Sequence, residues 1–286
     1  MRIFCLCNNW LGWQVLKWLN QQGDAIVGVA LHPEARAKNG PEIRSQVPSS
    51  NCLLVDGSRL KERSVLEQVR KLEADIAVSI LFGYVLSAEF IEIFPRGSIN
   101  LHPGLLPHNR GAHPNVWSIV AKTPAGVTLH YIDAGIDTGD VIAQKEVPVL
   151  VTDTGATLYR RLEMEGLELF MNHWPSIRQG SSARHPQPAG VGSSHRAREV
   201  QKIDEIDPQK MYRAEDLINV IRARTFAPYP GAYFVHGGKK IYLRLDLREE
   251  DLREEDLREE GDRQQDSPEK KLNQGKVKDE PEVCGE

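Results

Sequence analysis

Residues 2–31 read RIFCLCNNWLGWQVLKWLNQQGDAIVGVAL, and this stretch decides the fold. It contains an apolar run, then a segment whose apolar residues recur at helical spacing, and then a second apolar run rich in β-branched residues. This order predicts a strand, a helix and a second strand. Because a helix that joins two such strands usually makes them parallel, the chain is expected to open with a β-α-β unit.

The same alternation continues to about residue 180. Further strands are predicted at CLLV, DIAVSILFG and GSINL, with the helical segments RLKERSVLEQVRKLEA and LSAEFIEIF between them. GVTLHYI and DVIAQKEVPV look like two later strands on either side of a polar turn, and TLYRRLEMEGLELFMNHWPSI is a long amphipathic helix. The pattern predicts an α/β domain over residues 1–180, with a doubly wound, mostly parallel sheet.

The rest of the chain changes character twice. Residues 181–193 are rich in Ser, Pro and Gly and predict a linker, whereas residues 194–245 predict a small α+β domain with a helix and a Gly-Gly hairpin. Residues 246–286 hold 16 acidic and 8 basic residues and begin with a DLREE repeat, which predicts a disordered acidic tail without chemistry. Residues 1–245 hold 28 basic and 24 acidic residues, a net charge of +4 that suits an anionic small molecule better than nucleic acid.

The sequence predicts neither a membrane segment nor export. No apolar run approaches the roughly 20 residues that a membrane-spanning helix needs, and the N-terminus has no signal-peptide pattern. The four cysteines show no C-x-x-C spacing, so reduced structural thiols are expected rather than disulfides or zinc ligands. The expected location is the cytoplasm.

The loop behind the strand GSINL is the first candidate site. Doubly wound sheets bind their ligands at the carboxyl ends of parallel strands, and the alternation of a strand places Asn100 and His102 on the same side. An amide and an imidazole in that position can donate hydrogen bonds to a carbonyl oxygen that gains negative charge, as acyl transfer requires. Alternatively, His102 only caps the loop and Asn100 satisfies backbone groups, and from these two residues alone this structural interpretation is favoured.

A second polar turn, DAGIDTGDVI, follows the strand GVTLHYI. Asp137 of this turn would lie at the carboxyl edge of the same sheet, where it could orient His102 and favour the protonated imidazole. The alternative is that the aspartates of this segment are ordinary turn formers. No metal is expected, because no standard zinc spacing is found among the histidines His108, His113 and His130.

Motifs of several other enzyme classes are absent from the sequence. The first strand is followed by NNWLG instead of G-x-G-x-x-G, which weakens a nicotinamide interpretation, and no Walker loop occurs. There is no G-x-S-x-G elbow, and the cysteines lie in predicted strands or in the tail, so no covalent nucleophile is evident. The chemistry that remains is acyl transfer without a protein nucleophile.

INLHPGLLPHNRG followed by GVTLHYIDAGIDTGDVI resembles the signature of the folate-dependent formyltransferases. That family includes glycinamide ribonucleotide transformylase, methionyl-tRNA formyltransferase and the sugar N-formyltransferases. The resemblance covers residues 1–180 and continues more weakly to about residue 245. It implies a formyltransferase Rossmann-like fold, N10-formyltetrahydrofolate as the formyl donor, and Asn100, His102 and Asp137 as the catalytic residues.

The reaction that the resemblance implies is direct transfer of the formyl group to a neutral primary amine. Asn100 and protonated His102 would stabilise the charged oxygen, while Asp137 would hold His102 and help to move the proton. Gly104 stands where the family commonly has serine, which puts a loop hydrogen bond in doubt rather than the chemistry. The family's apolar folate slot falls here on Phe82, Gly83, Tyr84, Val85, Leu86, Leu105 and Ile136.

The family does not fix the amine acceptor. Methionyl-tRNA formyltransferases usually carry a longer basic C-terminal domain than residues 194–245 would provide, which argues against tRNA. CNNWLGWQVLKWL, RGAHPNVW and LINVIRARTFAPYPGAYF look more like sugar N-formyltransferases, so a nucleotide-linked amino sugar is the predicted acceptor. A structural role for Trp117 on the following helix is at least as well supported as substrate contact. The candidate acceptor-binding residues are Arg110, Asn115, Trp117 and Tyr229.

Two other classes of function compete with this prediction. A non-catalytic or regulatory folate-binding protein would keep the fold, but the intact catalytic trio counts against it. A formyltetrahydrofolate hydrolase would need water in place of the amine, and no added regulatory domain of the sort such hydrolases carry is recognised. The resemblance also implies a homodimer through the C-terminal part, although the sequence fixes no interface.

Overall fold

The opening strand lies in the interior of a seven-stranded sheet. In the computed structural model, which describes residues 1–48 and 51–251, strand β1 (Arg2–Cys7) is followed by helix α1 (Asn9–Leu19) and strand β2 (Ala25–Leu31). β1 and β2 pair in parallel. β1 is buried at five of its six positions, and a strand covered on both faces is apolar throughout rather than alternating.

The sheet has the strand order β3-β2-β1-β4-β5-β7-β8. The pairs from β3 to β5 are parallel, whereas β5 pairs antiparallel with β7 and β7 antiparallel with β8. The predicted α/β fold with a doubly wound, mostly parallel sheet is therefore confirmed. The remaining elements of this part of the chain are α2 (Gly40–Ser45), β3 (Leu53–Asp56), α3 (Arg63–Arg70), β4 (Ile76–Ile80), α4 (Ala88–Ile91), β5 (Ser98–His102), β6 (Arg110–Gly111), α5 (Pro114–Val120), β7 (Gly126–Tyr131), β8 (Val141–Glu146) and α6 (Gly155–Gln179).

Helices cover the sheet on both faces, because successive residues of its buried strands point to opposite sides. Ile3 and Cys5 of β1 belong to one core with residues of α1 and α6, while Phe4 belongs to a second core with residues of α3 and α4. The longest helix, α6, begins at a capping box in which the side chain of Thr154 accepts a hydrogen bond from the backbone of Thr157.

The segment after α6 runs back along the domain. His185 forms an isolated bridge with Val141, and β9 (Ser194–His195) pairs in parallel with β6. A 3₁₀ helix (Glu199–Ile203), helix α7 (Ala214–Arg224) and the hairpin of β10 (Tyr233–His236) and β11 (Lys239–Tyr242) follow, so a C-terminal α+β unit is present.

The predicted boundaries at residues 1–180, 181–193 and 194–245 stay predictions. Residues 1–246 form one compact unit. Most of the predicted acidic tail, residues 252–286, lies outside the described residues. Within the described part of the chain, no helix is both long and apolar enough to cross a membrane.

Candidate active site

A cavity of about 880 Å³ opens at the carboxyl end of the parallel strands. Its walls come from the ends of β4 and β5, from the loop between β7 and β8, and from the segments around residues 111–116, 194–200 and 224–229. This is the edge at which open α/β sheets bind ligands, and the volume is typical of a small-molecule site.

Asn100, His102 and Asp137 all line this cavity; the alternation of β5 predicts that the first two share a face, and the polar turn after β7 predicts the position of Asp137. Asp137 Oδ2 lies 3.5 Å from His102 Nδ1, and Asp137 Oδ1 lies 3.5 Å from Asn100 Nδ2. The His102 imidazole is 3.0 Å from the Asn109 carbonyl through Nε2. Because a carbonyl oxygen only accepts, Nε2 carries a hydrogen, and Nδ1 is the nitrogen that faces Asp137 and the cavity.

The protonation state of this pair differs from the predicted one. Burial lowers the pKa of His102, and the nearby charge of Asp137 opposes that shift without overcoming it. The expectation of a protonated His102 is therefore corrected to a neutral imidazole, because removing the ring from water penalises its charged form.

Asp137 remains ionised beside that imidazole. Burial alone would raise the pKa of Asp137, but positive charge on His102 or His130, when either ring carries it, and a hydrogen bond from the Gly111 amide lower it below its usual range. That amide donates to Asp137 Oδ2 at 2.8 Å. Asp137 also has a φ of 54°, a left-handed conformation that aspartate tolerates better than most side chains.

Two further residues lie at the site, and the sequence did not predict a catalytic or binding role for either. Ser79 Oγ donates to Asn100 Oδ1 at 2.9 Å, and His130 Nε2 lies 3.2 Å from Asn100 Nδ2 and 3.5 Å from Asp137 Oδ1. From the sequence, His130 is a candidate only for a metal ligand. The signal that could have found Ser79 is a hydroxyl within the otherwise apolar strand DIAVSILFG.

Most of the residues predicted to form the folate slot line the cavity. The cavity wall contains all of Phe82–Leu86 together with Ile136, and Val85 and Ile136 are 63% and 55% exposed. Exposed apolar side chains that line a cavity are typical of a ligand surface. Leu105 requires a correction, because it does not line the cavity. Its side chain packs over Gly126 instead, where an added Cβ would lie 2.8 Å from Leu105 Cδ1.

The predicted acceptor residues divide into two groups. Asn115 and Tyr229 line the cavity, although the Asn115 amide donates to the Gly155 carbonyl at 2.9 Å. Arg110 and Trp117 lie outside the cavity wall, so their predicted contact with the acceptor is corrected. Arg110 instead donates to the Asp137 carbonyl and to Gln187, and Trp117 is buried and stacked on His195 at 4.2 Å between ring centroids.

The fold and the site together are those of a group-transfer enzyme. Residues 15–173 match the formyl transferase family model, and residues 199–249 match the N-formyltransferase dimerization C-terminal domain. The chain belongs to the folate-dependent formyltransferases, as its two sequence motifs predict, and is an N-formyltransferase.

Similar proteins act on different amines. The chain is 36% identical over 225 residues to the methionyl-tRNA formyltransferase of Symbiobacterium thermophilum, covering 76% of this chain and 67% of that protein. A 4-N formyltransferase from Francisella tularensis is similar in structure with a TM-score of 0.75 and 26% identity, over 87% of this chain and 98% of that one. The formyltransferase PseJ from Anoxybacillus kamchatkensis, solved with UDP-4,6-dideoxy-4-formamido-L-AltNAc and tetrahydrofolate, gives a TM-score of 0.53 and 30% identity, over 71% and 89%.

The co-substrate of this family is N10-formyltetrahydrofolate. The cavity suits it, because the apolar residues Phe82–Leu86 and Ile136 stand beside the polar trio of Asn100, His102 and Asp137. Such a molecule needs a flat apolar surface for its ring and polar groups at the formyl carbon. Among residues 1–48 and 51–251, no group of three or more His, Cys, Asp or Glu could hold a metal ion.

Proposed function

We propose that this formyltransferase acts on the amino group of a nucleotide-linked amino sugar, with Asn100, His102 and Asp137 as its catalytic residues. The observation that carries the choice of acceptor is the chemistry of the cavity beyond the trio, where cationic and aromatic side chains stand together. These residues, which we call the acceptor end, are Asn9, Lys38, Tyr159, Arg196, Arg224, Phe226 and Tyr229.

The acceptor end offers what a nucleoside diphosphate requires. The Lys38 ammonium donates to the Tyr229 hydroxyl and lies 4.8 Å from the centre of that ring. The Phe226 ring contacts Tyr159 and Tyr229, each with 5.4 Å between ring centroids. Within the described part of the chain, Arg196 forms no ion pair. Arg224 is paired with Asp204, so Lys38 and Arg196 are the cations that can bind the diphosphate, and aromatic rings offer stacking surfaces for the base.

The comparisons support the same acceptor. The chain matches 98% of the length of the 4-N formyltransferase, and PseJ is described with a UDP-linked formamido sugar. Residues 199–249 match a C-terminal domain described as a dimerization domain, which also supports a homodimer. The methionyl-tRNA formyltransferase relatives support tRNA as the second candidate acceptor.

The geometry of the trio supports direct transfer. The Asn100 amide would donate to the formyl oxygen as the amine attacks and that oxygen gains negative charge. Neutral His102 would accept a proton from the attacking nitrogen at Nδ1, and ionised Asp137 would stabilise the imidazolium that results. His102 would then return this proton to N10 of the folate as the bond between N10 and the formyl carbon breaks. The new bond between the acceptor nitrogen and the formyl carbon remains in the product.

The test is a transfer assay with N10-formyltetrahydrofolate and four acceptors. The acceptors are dTDP-3-aminofucose, the unformylated form of the UDP-linked sugar named above, glycinamide ribonucleotide and methionyl-tRNA. Formylation of a nucleotide sugar is expected. Formylation of methionyl-tRNA alone would overturn the choice of acceptor, and release of formate without any acceptor would indicate a hydrolase. Folate binding without turnover would indicate a non-catalytic protein.

Variants of the trio test the catalytic assignment separately. Asn100→Ala is expected to lower kcat by about 10²–10³, the usual effect of losing an oxyanion donor. His102→Ala is expected to lower kcat by about 10²–10⁴, the usual contribution of a general base. Near-normal turnover in a folded variant would remove that residue from the mechanism. The cytoplasmic location stays a prediction.

A further inference from the structure

We propose that Ser79 is a positioning residue, which together with His130 holds the Asn100 amide so that its nitrogen, rather than its oxygen, faces the formyl group. The proposal rests on the catalytic role proposed above for Asn100. It concerns a residue outside the trio, which reaches the reaction only through the side chain of Asn100.

The register of the sheet brings these groups together. Ser79 on β4 lies opposite Asn100 on β5, and Asn100 lies opposite His130 on β7. Residues paired across neighbouring strands project to the same face, so the hydroxyl, the amide and the imidazole form one row. Ser79 is 4% exposed, and its Oγ is 2.9 Å from Asn100 Oδ1.

His130 constrains the other end of the amide. His130 Nδ1 is 2.8 Å from the Tyr131 carbonyl, which can only accept, so this nitrogen carries a hydrogen. In the neutral ring, Nε2 is then an acceptor, and it lies 3.2 Å from Asn100 Nδ2. His130 selects the orientation, because it accepts from the amide nitrogen, and the Ser79 hydroxyl then donates to the amide oxygen and holds the amide in that orientation.

The selected orientation leaves one N–H for the reaction. One hydrogen of Asn100 Nδ2 is directed to His130, and the other has only the 3.5 Å contact with Asp137 Oδ1. The second N–H makes only this long contact, so it is the one that can donate a hydrogen bond to the formyl oxygen. In the reversed amide, Oδ1 would stand where the donor is needed, beside the Asp137 carboxylate, and would repel the charge that develops.

Ser98 provides a matched control on the next strand. It is 1% exposed and lies on β5, two residues before Asn100, but its Oγ has no hydrogen-bond partner among the described residues. Ser79→Ala and Ser98→Ala therefore remove the same atom from similarly buried positions. Only the first removes a contact with Asn100.

The kinetic test compares these variants in the transfer assay with dTDP-3-aminofucose and the UDP-linked amino sugar. Ser79→Ala is expected to lower kcat about 10- to 100-fold with the KM for N10-formyltetrahydrofolate within about threefold, because the donor is misoriented rather than removed. Ser98→Ala is expected to match the unchanged protein. Ser79→Thr and Ser79→Val, which share a shape and differ in the hydroxyl, are expected to differ at least tenfold in kcat. Equal kcat for Ser79→Ala and Ser98→Ala would overturn the proposal.

A spectroscopic test needs no acceptor. The side-chain amide signals of Asn100, identified by their loss in Asn100→Ala, should shift in the ¹⁵N–¹H spectrum of Ser79→Val and stay in place in Ser98→Ala. Unchanged signals in Ser79→Val would refute the contact. If Asn100→Ala keeps normal turnover, the catalytic assignment fails; if Asn100→Ala is inactive and Ser79→Ala is normal, only the role of Ser79 fails.

Discussion

Glu163 gives the structure a measurable dependence of stability on pH. This carboxyl group lies on α6, close to Tyr159 of the acceptor end, and is only 9% exposed. Burial raises its pKa from 4.5 to about 7, while Tyr159, Lys38 and Arg160 partly oppose that rise. Between these two pH values, the folded protein keeps a proton on Glu163 that the unfolded chain has released. Stability is therefore lost as the pH rises from 4.5 through 7.

The perturbation is Glu163→Gln, which keeps the shape of the side chain and removes its titration. The difference between pKa values of 4.5 and about 7 corresponds to roughly 3 kcal/mol, an upper estimate for a group that retains slight solvent contact. The variant should therefore gain free energy of unfolding relative to the unchanged protein as the pH rises, by less than about 1 kcal/mol at pH 5 and by roughly 2 to 3 kcal/mol at pH 8.

Urea unfolding, followed by tryptophan fluorescence at several pH values, measures this difference directly. Glu168→Gln is the control, because Glu168 lies on the same helix, is exposed and pairs with Lys145, which lowers its pKa. Its effect on stability should not change between pH 5 and 8. The reasoning fails if the difference between Glu163→Gln and the unchanged protein is the same at both pH values.

Three further predictions concern the catalytic end of the cavity. Gly104→Ala should lower kcat at least about tenfold in steady-state assays, because the new Cβ would lie 2.6 Å from His102 Nε2 and displace the ring from the Asn109 carbonyl. Gln187→Ala should lower kcat by a similar factor with little change in melting temperature, because the Gln187 amide holds the carbonyls of Asp137 and Gly139, each at 2.9 Å. A profile of kcat against pH should show an acid limb below pH 6.5, because burial lowers the pKa of His102 and the neutral imidazole is the active form; a limb centred above 6.5 would contradict this assignment.

The parts of the site that follow from local pattern could be predicted from the sequence. Apolar runs alternating with helical segments predict the sheet, because strands buried on both faces must be apolar throughout. The alternation of β5 predicts that Asn100 and His102 share a face, since that relation depends on two residues of one strand. The fold and the family followed from such patterns, and the structure brings Asp137 to both side chains.

Two kinds of contact could not be predicted in this way: those that depend on the register between strands, and those made by the segment after α6 where it packs back against the domain. Ser79 and His130 reach Asn100 because three strands pair in one particular register, which no single strand encodes. Gln187 lies in a segment whose composition indicates only a linker, yet it binds the backbone of the Asp137 turn. The position of this segment also explains why Arg110 does not face an acceptor. Its guanidinium donates hydrogen bonds to the Asp137 carbonyl and to Gln187 instead.

The acceptor end takes part of its lining from the C-terminal segment, whereas the three catalytic candidates do not. Asn100, His102 and Asp137 all lie within residues 15–173, the span that matches the formyl transferase family model. Of the acceptor end, Lys38 and Tyr159 lie within the same span, whereas Arg196, Arg224, Phe226 and Tyr229 lie beyond it. Membership of the family therefore specifies formyl transfer while leaving the amine open, and relatives named for tRNA and for sugars can share one catalytic end. Because β9 and Gln187 tie the C-terminal segment to β6 and to the Asp137 turn, changes that alter the acceptor end must preserve those attachments to keep the transfer rate.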